Sequence, residues 1–290
     1  MDKIHNDLAN LEKILGSTNI YKKSQSEQYT HMNYSIKTNT MEFYGDTIDE
    51  KIIGIIIEND ISKIIIHKQL LHSIDNLPNN VIILVLYRCN SSQLYDLPNS
   101  ITHLYFVDLI GELNCLPSGI KLIDFGNNFD SKINILPISM EEIILGNKFN
   151  QMVNNLPPNL KSIKFGEKFN QMVDNLPSQL EIIIFGSSFN QSIDNLPNSI
   201  KYIEFNWVGI FSLPIHNLPN SLEEIKFNNS FCNEVCELPN GLKKILLGTN
   251  FSKPINAPYS LEKIKLCSKY KYLNLIRNMF SENTIKELYF

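Results

Sequence analysis

At 290 residues with a formal net charge of −4, the chain is long enough for a sizeable core, and at 43% hydrophobic it is too apolar for a disordered tail. Arg88 and Arg277 are its only arginines, which argues against nucleic-acid binding; no stretch is long and apolar enough to span a bilayer, and Met1-Asp2-Lys3-Ile4 begins no secretory leader. Five irregularly spaced cysteines give no disulfide framework, so an intracellular, cytoplasmic setting is expected.

In chain order, the first expected element is a short amphipathic helix over residues 3–15. Ile4, Leu8, Leu11 and Leu15 recur there at helical spacing. Residues 16–40 are polar and weakly patterned, and no proline precedes Pro78. Residues 1–57 are therefore set apart as an N-terminal cap, and residues 58–290 as a second unit dominated by repetition.

Leu-Pro recurs from Leu77-Pro78 to Leu238-Pro239, and Ala257-Pro258 continues the series, each proline of the series standing 19 to 22 positions after the one before. The stretch from Leu156 to Asn175 shows the pattern. Leu160, Ile163, Phe165, Phe169 and Val173 follow Pro157 at three, six, eight, twelve and sixteen positions. Ile163-Lys164-Phe165 alternates with period two and predicts a short strand. Gly166 permits a tight turn after it, and Phe169 and Val173 point inward from an irregular return segment. Pro177 then favours an extended chain before the next strand. A unit of about 20 residues cannot bury its own apolar face, but a stack of them can, as a solenoid with a parallel sheet along one side.

Degenerate units extend the array. Upstream, Ile61, Ile64, Ile66, Leu70, Ile74 and Leu77 keep the register, with Glu58 in the proline slot. Downstream, Asn283–Phe290 matches Asn198–Phe205 position by position, after a second expected short helix from Tyr270 to Phe280. About twelve short parallel strands follow, from the one near Ile64 to the one ending at Phe290, with mostly irregular returns and short helical caps.

Phe149-Asn150-Gln151, Phe169-Asn170-Gln171 and Phe189-Asn190-Gln191, each followed by Val or Ile and then Leu-Pro, resemble the FNIP repeat. That family is a short relative of the leucine-rich repeats, known from amoebae and the large DNA viruses that infect them. Leu160-x-x-Ile163-x-Phe165 is likewise similar to the leucine-rich-repeat strand. The resemblance covers roughly residues 58–290. It implies a non-enzymatic protein-interaction scaffold, in the host cytoplasm if the chain is viral. Some relatives carry an F-box that recruits a ubiquitin ligase, so the alternative is a substrate-recognition adaptor of such a ligase. Residues 1–57, with one convincing helix, hold no F-box pattern.

Enzyme signatures are missing: no Gly-rich phosphate loop, Gly-x-Ser-x-Gly elbow or His-Glu-x-x-His helix occurs. No catalytic residue, cofactor site, metal site or small-molecule substrate is assigned. His67 and His72 share a unit without Cys or carboxylate at ligand spacing, and a surface or turn role is expected. Cys232-x-x-x-Cys236 is a lone pair, and Cys232 is expected to be a buried or half-buried thiol. The recurrent Asn150, Asn170 and Asn190 are expected to satisfy turn backbone as a stacked column. Phe129, Phe149, Phe169, Phe189, Phe231 and Phe251 are expected to form a core spine.

Two features suggest a partner surface. Trp207 is the sole Trp and lies in the one irregular turn, around Trp207-Val208-Gly209, where it is either an exposed anchor or a lid over its neighbours. Strand residues five and seven after each proline slot should point outward. They are apolar in the first half (Tyr105, Leu122, Ile144, Ile182 and Ile184 among them) and charged in the second. A contiguous exposed apolar patch calls for a cover, either a partner protein or residues 1–57 of the chain itself.

Overall fold

The computed structural model describes residues 32–266 except Asp75, Asn114 and Cys236. The expected helices at 3–15 and 270–280 and the strand ending at Phe290 lie outside the described residues. Over the described residues the chain winds into a solenoid whose main sheet has thirteen strands. It begins with β1 (Met32–Ser35) and β2 (Thr40–Phe43), an antiparallel hairpin, followed by α1 (Glu50–Glu58) and β3 (Lys63–Ile66). The turns that follow supply β4 (Ile83–Leu86), β6 (His103–Phe106), β8 (Leu122–Asp124), β9 (Glu142–Ile144), β10 (Ser162–Lys164) and β11 (Ile182–Phe185). The last are β12 (Tyr202–Phe205), β13 (Glu224–Lys226), β14 (Lys244–Leu246) and β15 (Lys263–Lys265). From β2 onward all neighbours in this sheet pair in parallel. A second, two-stranded sheet joins β5 (Cys89–Asn90) to β7 (Leu109–Ile110) on the return side.

The sheet thus starts at Met32, inside the segment that the sequence separates as a cap. Helix α1 follows, its N-terminus capped by the Asp49 carboxylate, which accepts from the N–H groups of Lys51 and Ile52, each at 3.0 Å. Neither element carries the proline punctuation of the later turns.

In the repeats, each proline opens a turn closed by a core residue. The N–H of the residue three positions on donates to the proline carbonyl, as from Leu160 to Pro157 at 3.1 Å and from Leu222 to Pro219 at 3.0 Å. That core residue, the strand centre and the residue at the strand's end all point inward. The central column runs Met41, Ile64, Leu84, Leu104, Ile123, Ile143, Ile163, Ile183, Ile203, Ile225, Ile245 and Ile264, and every member is buried.

Two phenylalanine ladders fill the rest of the core. Phe129, Phe149, Phe169 and Phe189 stack at 6.1, 6.2 and 6.1 Å between ring centroids. Phe211, Phe231 and Phe251 extend that spine, so the irregular unit does not interrupt it. A second ladder comes from the strand ends: Phe165, Phe185, Phe205 and Phe227. Within one turn the ladders touch at 3.8 Å, as at Phe165–Phe169 and Phe185–Phe189.

Polar ladders hold the returns. Asp130 Oδ1 accepts from the N–H of Asn150, Asn150 Oδ1 from that of Asn170, and Asn170 Oδ1 from that of Asn190, at 2.8 to 2.9 Å. The Gln151, Gln171 and Gln191 amides donate to the same oxygens at 3.1 Å. The expected asparagine column is therefore a set of turn-to-turn hydrogen bonds. A separate series of hydroxyls, from Ser100, Ser139, Ser199, Ser221 and Ser260, donates to carbonyls of the preceding turn at 2.6 to 2.8 Å.

Turns after the strands approach each other backbone to backbone. A Cβ on Gly146 would lie 1.7 Å from the Gly126 carbonyl oxygen, so only glycine fits there. Where Asn228 takes the glycine's place it is fully buried, and its Nδ2 donates to the Gly209 carbonyl at 2.7 Å.

Candidate functional site

One face of the sheet packs on the core; the other is open. Two outward columns cross it. The first runs Thr40, Lys63, Ile83, His103, Leu122, Glu142, Ser162, Ile182, Tyr202, Glu224, Lys244 and Lys263. The second runs Glu42, Ile65, Val85, Tyr105, Asp124, Ile144, Lys164, Ile184, Glu204, Lys226, Leu246 and Lys265.

All five strand residues singled out from the sequence stand in these columns: Leu122 and Ile182 in the first, Tyr105, Ile144 and Ile184 in the second. They do not form the single apolar patch expected of them. From β8 onward the second column alternates Asp124, Ile144, Lys164, Ile184 and Glu204. The apolar run is continuous only across β3, β4 and β6, at Ile65, Ile83, Val85 and Tyr105. Leu122 and Ile144 lie outside the main core yet are only 7% and 8% exposed, because strand neighbours about 4.8 Å away cover their flanks. Tyr105, Ile182 and Ile184 are half-buried.

Charges on this face are partly desolvated. Burial pushes the Asp124 carboxyl above its usual range, although the Gly126 N–H, 2.9 Å from its Oδ1, and the charge of Lys164 oppose this. Toward the C-terminal end, Lys226 Nζ lies 3.2 Å from Glu204 Oε2, 3.6 Å from Glu224 Oε1 and 2.6 Å from the Tyr202 hydroxyl. Tyr202 donates in turn to Glu204, and burial raises its pKa so that it stays protonated.

At the N-terminal end His67 stacks on Tyr44, with ring centroids 4.3 Å apart, and against Tyr87 at 4.5 Å. Glu42 Oε2 accepts from the Tyr44 hydroxyl at 2.9 Å and stands 3.9 Å from His67 Nε2. His67 stands in the turn just past β3, in the column that glycine occupies later, and its ring is one layer of this aromatic stack. Burial lowers its pKa, against the opposing charge of Glu42. His72 is exposed.

A further ladder escaped the sequence reading. The residue after each turn-closing core position runs Lys121, Glu141, Lys161, Glu181, Lys201, Glu223, Lys243, Glu262. Its sign alternates at every turn. Ion pairs join Glu141 to Lys161 at 2.7 Å, Glu181 to Lys201 at 3.0 Å and Glu223 to Lys243 at 2.7 Å. Reading each position of the repeat as a column would have found it.

Trp207 follows β12 in the lengthened turn and is 46% exposed, beside the exposed Val208 and Ile210. Its own backbone is fixed by the Asn229 N–H, which donates to its carbonyl at 2.9 Å. Cys232 is exposed, not half-buried, because its side chain replaces an asparagine of the outward-facing return; its sulfur lies 3.4 Å from Ser212 Oγ. Among the described cysteines Cys89 is the buried one, and burial pushes its thiol up to about 12. Among the described residues no helix is long and apolar enough to cross a membrane.

These geometric repeats coincide with a sequence family. The FNIP Repeat family matches residues 110–148, 149–188 and 172–207. Over residues 110–207 the chain is similar to FNIP repeats. Comparison with curated proteins gives no match. Among solved structures the chain is similar to CroV588, described as a novel circular LRR protein structure, at 25% identity and a TM-score of 0.55. The alignment covers 83% of this chain and 48% of that one, so the chain spans about half the length of CroV588. YopM from Yersinia enterocolitica WA-314 is similar at 18% identity and a TM-score of 0.41, over 71% of this chain and 59% of that one. The leucine-rich-repeat-like fold expected from the sequence is the one observed, and folds of this kind are typical of protein-interaction scaffolds.

Proposed function

We propose that the chain is a non-catalytic intracellular scaffold that holds a partner protein across the open face of its sheet. The observation that carries this reading is the composition of the two outward columns. Rigid strands present half-buried Tyr105, Ile182 and Ile184 beside fixed charges, which suits recognition of an extended protein surface. Trp207 and its exposed apolar neighbours extend the same reading to the rim at β12. Several charged groups of the face have structural partners: Glu204 and Glu224 pair with Lys226, and Asp124 accepts from the Gly126 N–H.

Site-specific photo-crosslinking in cells tests it. A photoreactive residue in place of Ile182 should capture a defined protein, and one in place of the exposed return residue Met172 should not. The double variant Ile144→Lys, Ile184→Lys should fold, because Lys164, Lys226 and Lys265 occupy the same column natively, and should lose that protein. Equal capture from both positions, or a double variant that keeps the partner, would refute the assignment of the face.

A further inference from the structure

Beyond β12 the open face changes character. Glu224, Lys226, Lys244, Leu246, Lys263 and Lys265 line a shallow depression of about 260 Å³. Among the described residues four ammonium groups and one carboxylate stand in its walls, on a chain whose net charge is −4. The depression is thus a local reversal of the molecule's field. It is also ordered from one side. Glu204, Glu224 and Tyr202 anchor Lys226, whose Nζ sits 5.0 Å from the centroid of the Tyr202 ring, and Glu224 Oε2 lies 3.5 Å from Lys244 Nζ.

We propose that this depression seats an acidic segment of the partner protein, with carboxylates on Lys244, Lys263 and Lys265 and an apolar side chain over Leu246. The inference rests on the open-face reading and names the chemistry of its partner. Charge complementarity selects an anion. The distribution of charge selects a peptide over a nucleic acid, because Glu204 and Glu224 would repel a continuous phosphate backbone and no arginine stands on the described strands to chelate one. Geometry favours an extended segment. Lys263 and Lys265 stand two residues apart on one strand, about 7 Å along it, and alternate side chains of an extended partner recur at the same interval.

The test uses the full chain and two short fluorescein-labelled peptides, one alternating glutamate with leucine and the other glutamine with leucine, read by fluorescence anisotropy. The glutamate peptide should bind at least about tenfold more tightly, an advantage that shrinks at high salt as charges are screened. Lys244→Gln with Lys265→Gln should abolish the preference, Lys244→Arg with Lys265→Arg should keep it, and Lys168→Gln, on a distant exposed turn, should leave it unchanged. Equal binding of the two peptides, or a preference that survives in the double Gln variant, would overturn the proposal. Loss of the preference in the Arg variant as well would overturn the assignment of these lysines. If the crosslinked partner depends on Ile144 and Ile184 while the peptides bind equally, the acidic seat alone fails. If the glutamate preference holds while Ile182 captures nothing, the scaffold reading fails instead.

Discussion

Replacing Phe169 by alanine probes the central claim of the fold, that the return segments are held by a continuous aromatic spine. Phe169 has no exposed surface and touches three rings: Phe165 at 3.8 Å in its own turn, Phe149 at 6.2 Å before it and Phe189 at 6.1 Å after it. Truncating a fully buried phenylalanine costs about 3–5 kcal/mol through lost transfer energy and the cavity left behind. Ring pairs contribute about 0.5–1.5 kcal/mol each beyond burial, so three of them place Phe169→Ala in the upper range of that cost. Because each turn contacts only its neighbours, the loss should spread to the units that hold Phe149 and Phe189 and leave β3 and β4 largely protected. Urea unfolding with hydrogen exchange reads both effects. Lys168→Ala is the control: that side chain is exposed, and its backbone bond to the Asn147 carbonyl survives truncation. Equal midpoints for the two variants, or exchange that rises uniformly along the array, would refute the spine.

Other expectations follow from the ladders and the stack. Gly146→Ala should be severely destabilising in thermal melts, since its Cβ would meet the Gly126 carbonyl oxygen, whereas Gly54→Ala in α1 meets nothing within 4 Å. The α1 change should stabilise by up to about 1 kcal/mol through helix propensity. Asn170→Ala strands the N–H of Asn190 and should cost about 1–3 kcal/mol, measured by chemical denaturation. Asn170→Asp should be tolerated, because the Asp130 carboxylate already serves as the acceptor for the N–H of Asn150 in an earlier rung. For His67, a folded pKa below the unfolded one means that the unfolded chain binds more protons between the two values. Stability from this group is therefore present above the unfolded value of about 6.5 and is lost as pH falls through the folded value. Amide exchange in β2 to β4, corrected for its intrinsic pH dependence, should quicken over that window, and His67→Phe should remove the response while keeping the stack.

The middle of the molecule was legible because one unit is written many times. A proline, a core residue three positions on and a period-two strand fix phase, direction and inward face together, so β8 to β15 fall where the spacing puts them. The N-terminal elements were not legible for the opposite reason. Ile52, Ile53, Ile55, Ile56 and Ile57 form an almost unbroken apolar run through α1, and such a run does not distinguish strand from helix by period. The hairpin at Met32–Phe43 has four-residue strands but no proline and no repeated unit to set their phase. Direction on the open face was legible, but exposure was not. Whether Ile144 is bare depends on Asp124 and Lys164 in neighbouring turns, about 20 residues away in either direction along the chain, and no local pattern records that.

The charge ladder on the flank gives the solenoid two different periods. Its backbone, its proline turns and its aromatic spine repeat every turn, but the sequence Lys121, Glu141, Lys161, Glu181, Lys201, Glu223, Lys243, Glu262 repeats only every second turn. Loss or duplication of a single unit would leave every core contact in phase and yet bring two like charges into adjacent rungs. Loss or duplication of two units would disturb neither. Arrays of this kind should therefore change length most smoothly in pairs, and an odd step should be accompanied by a reversal of sign at one rung near the junction.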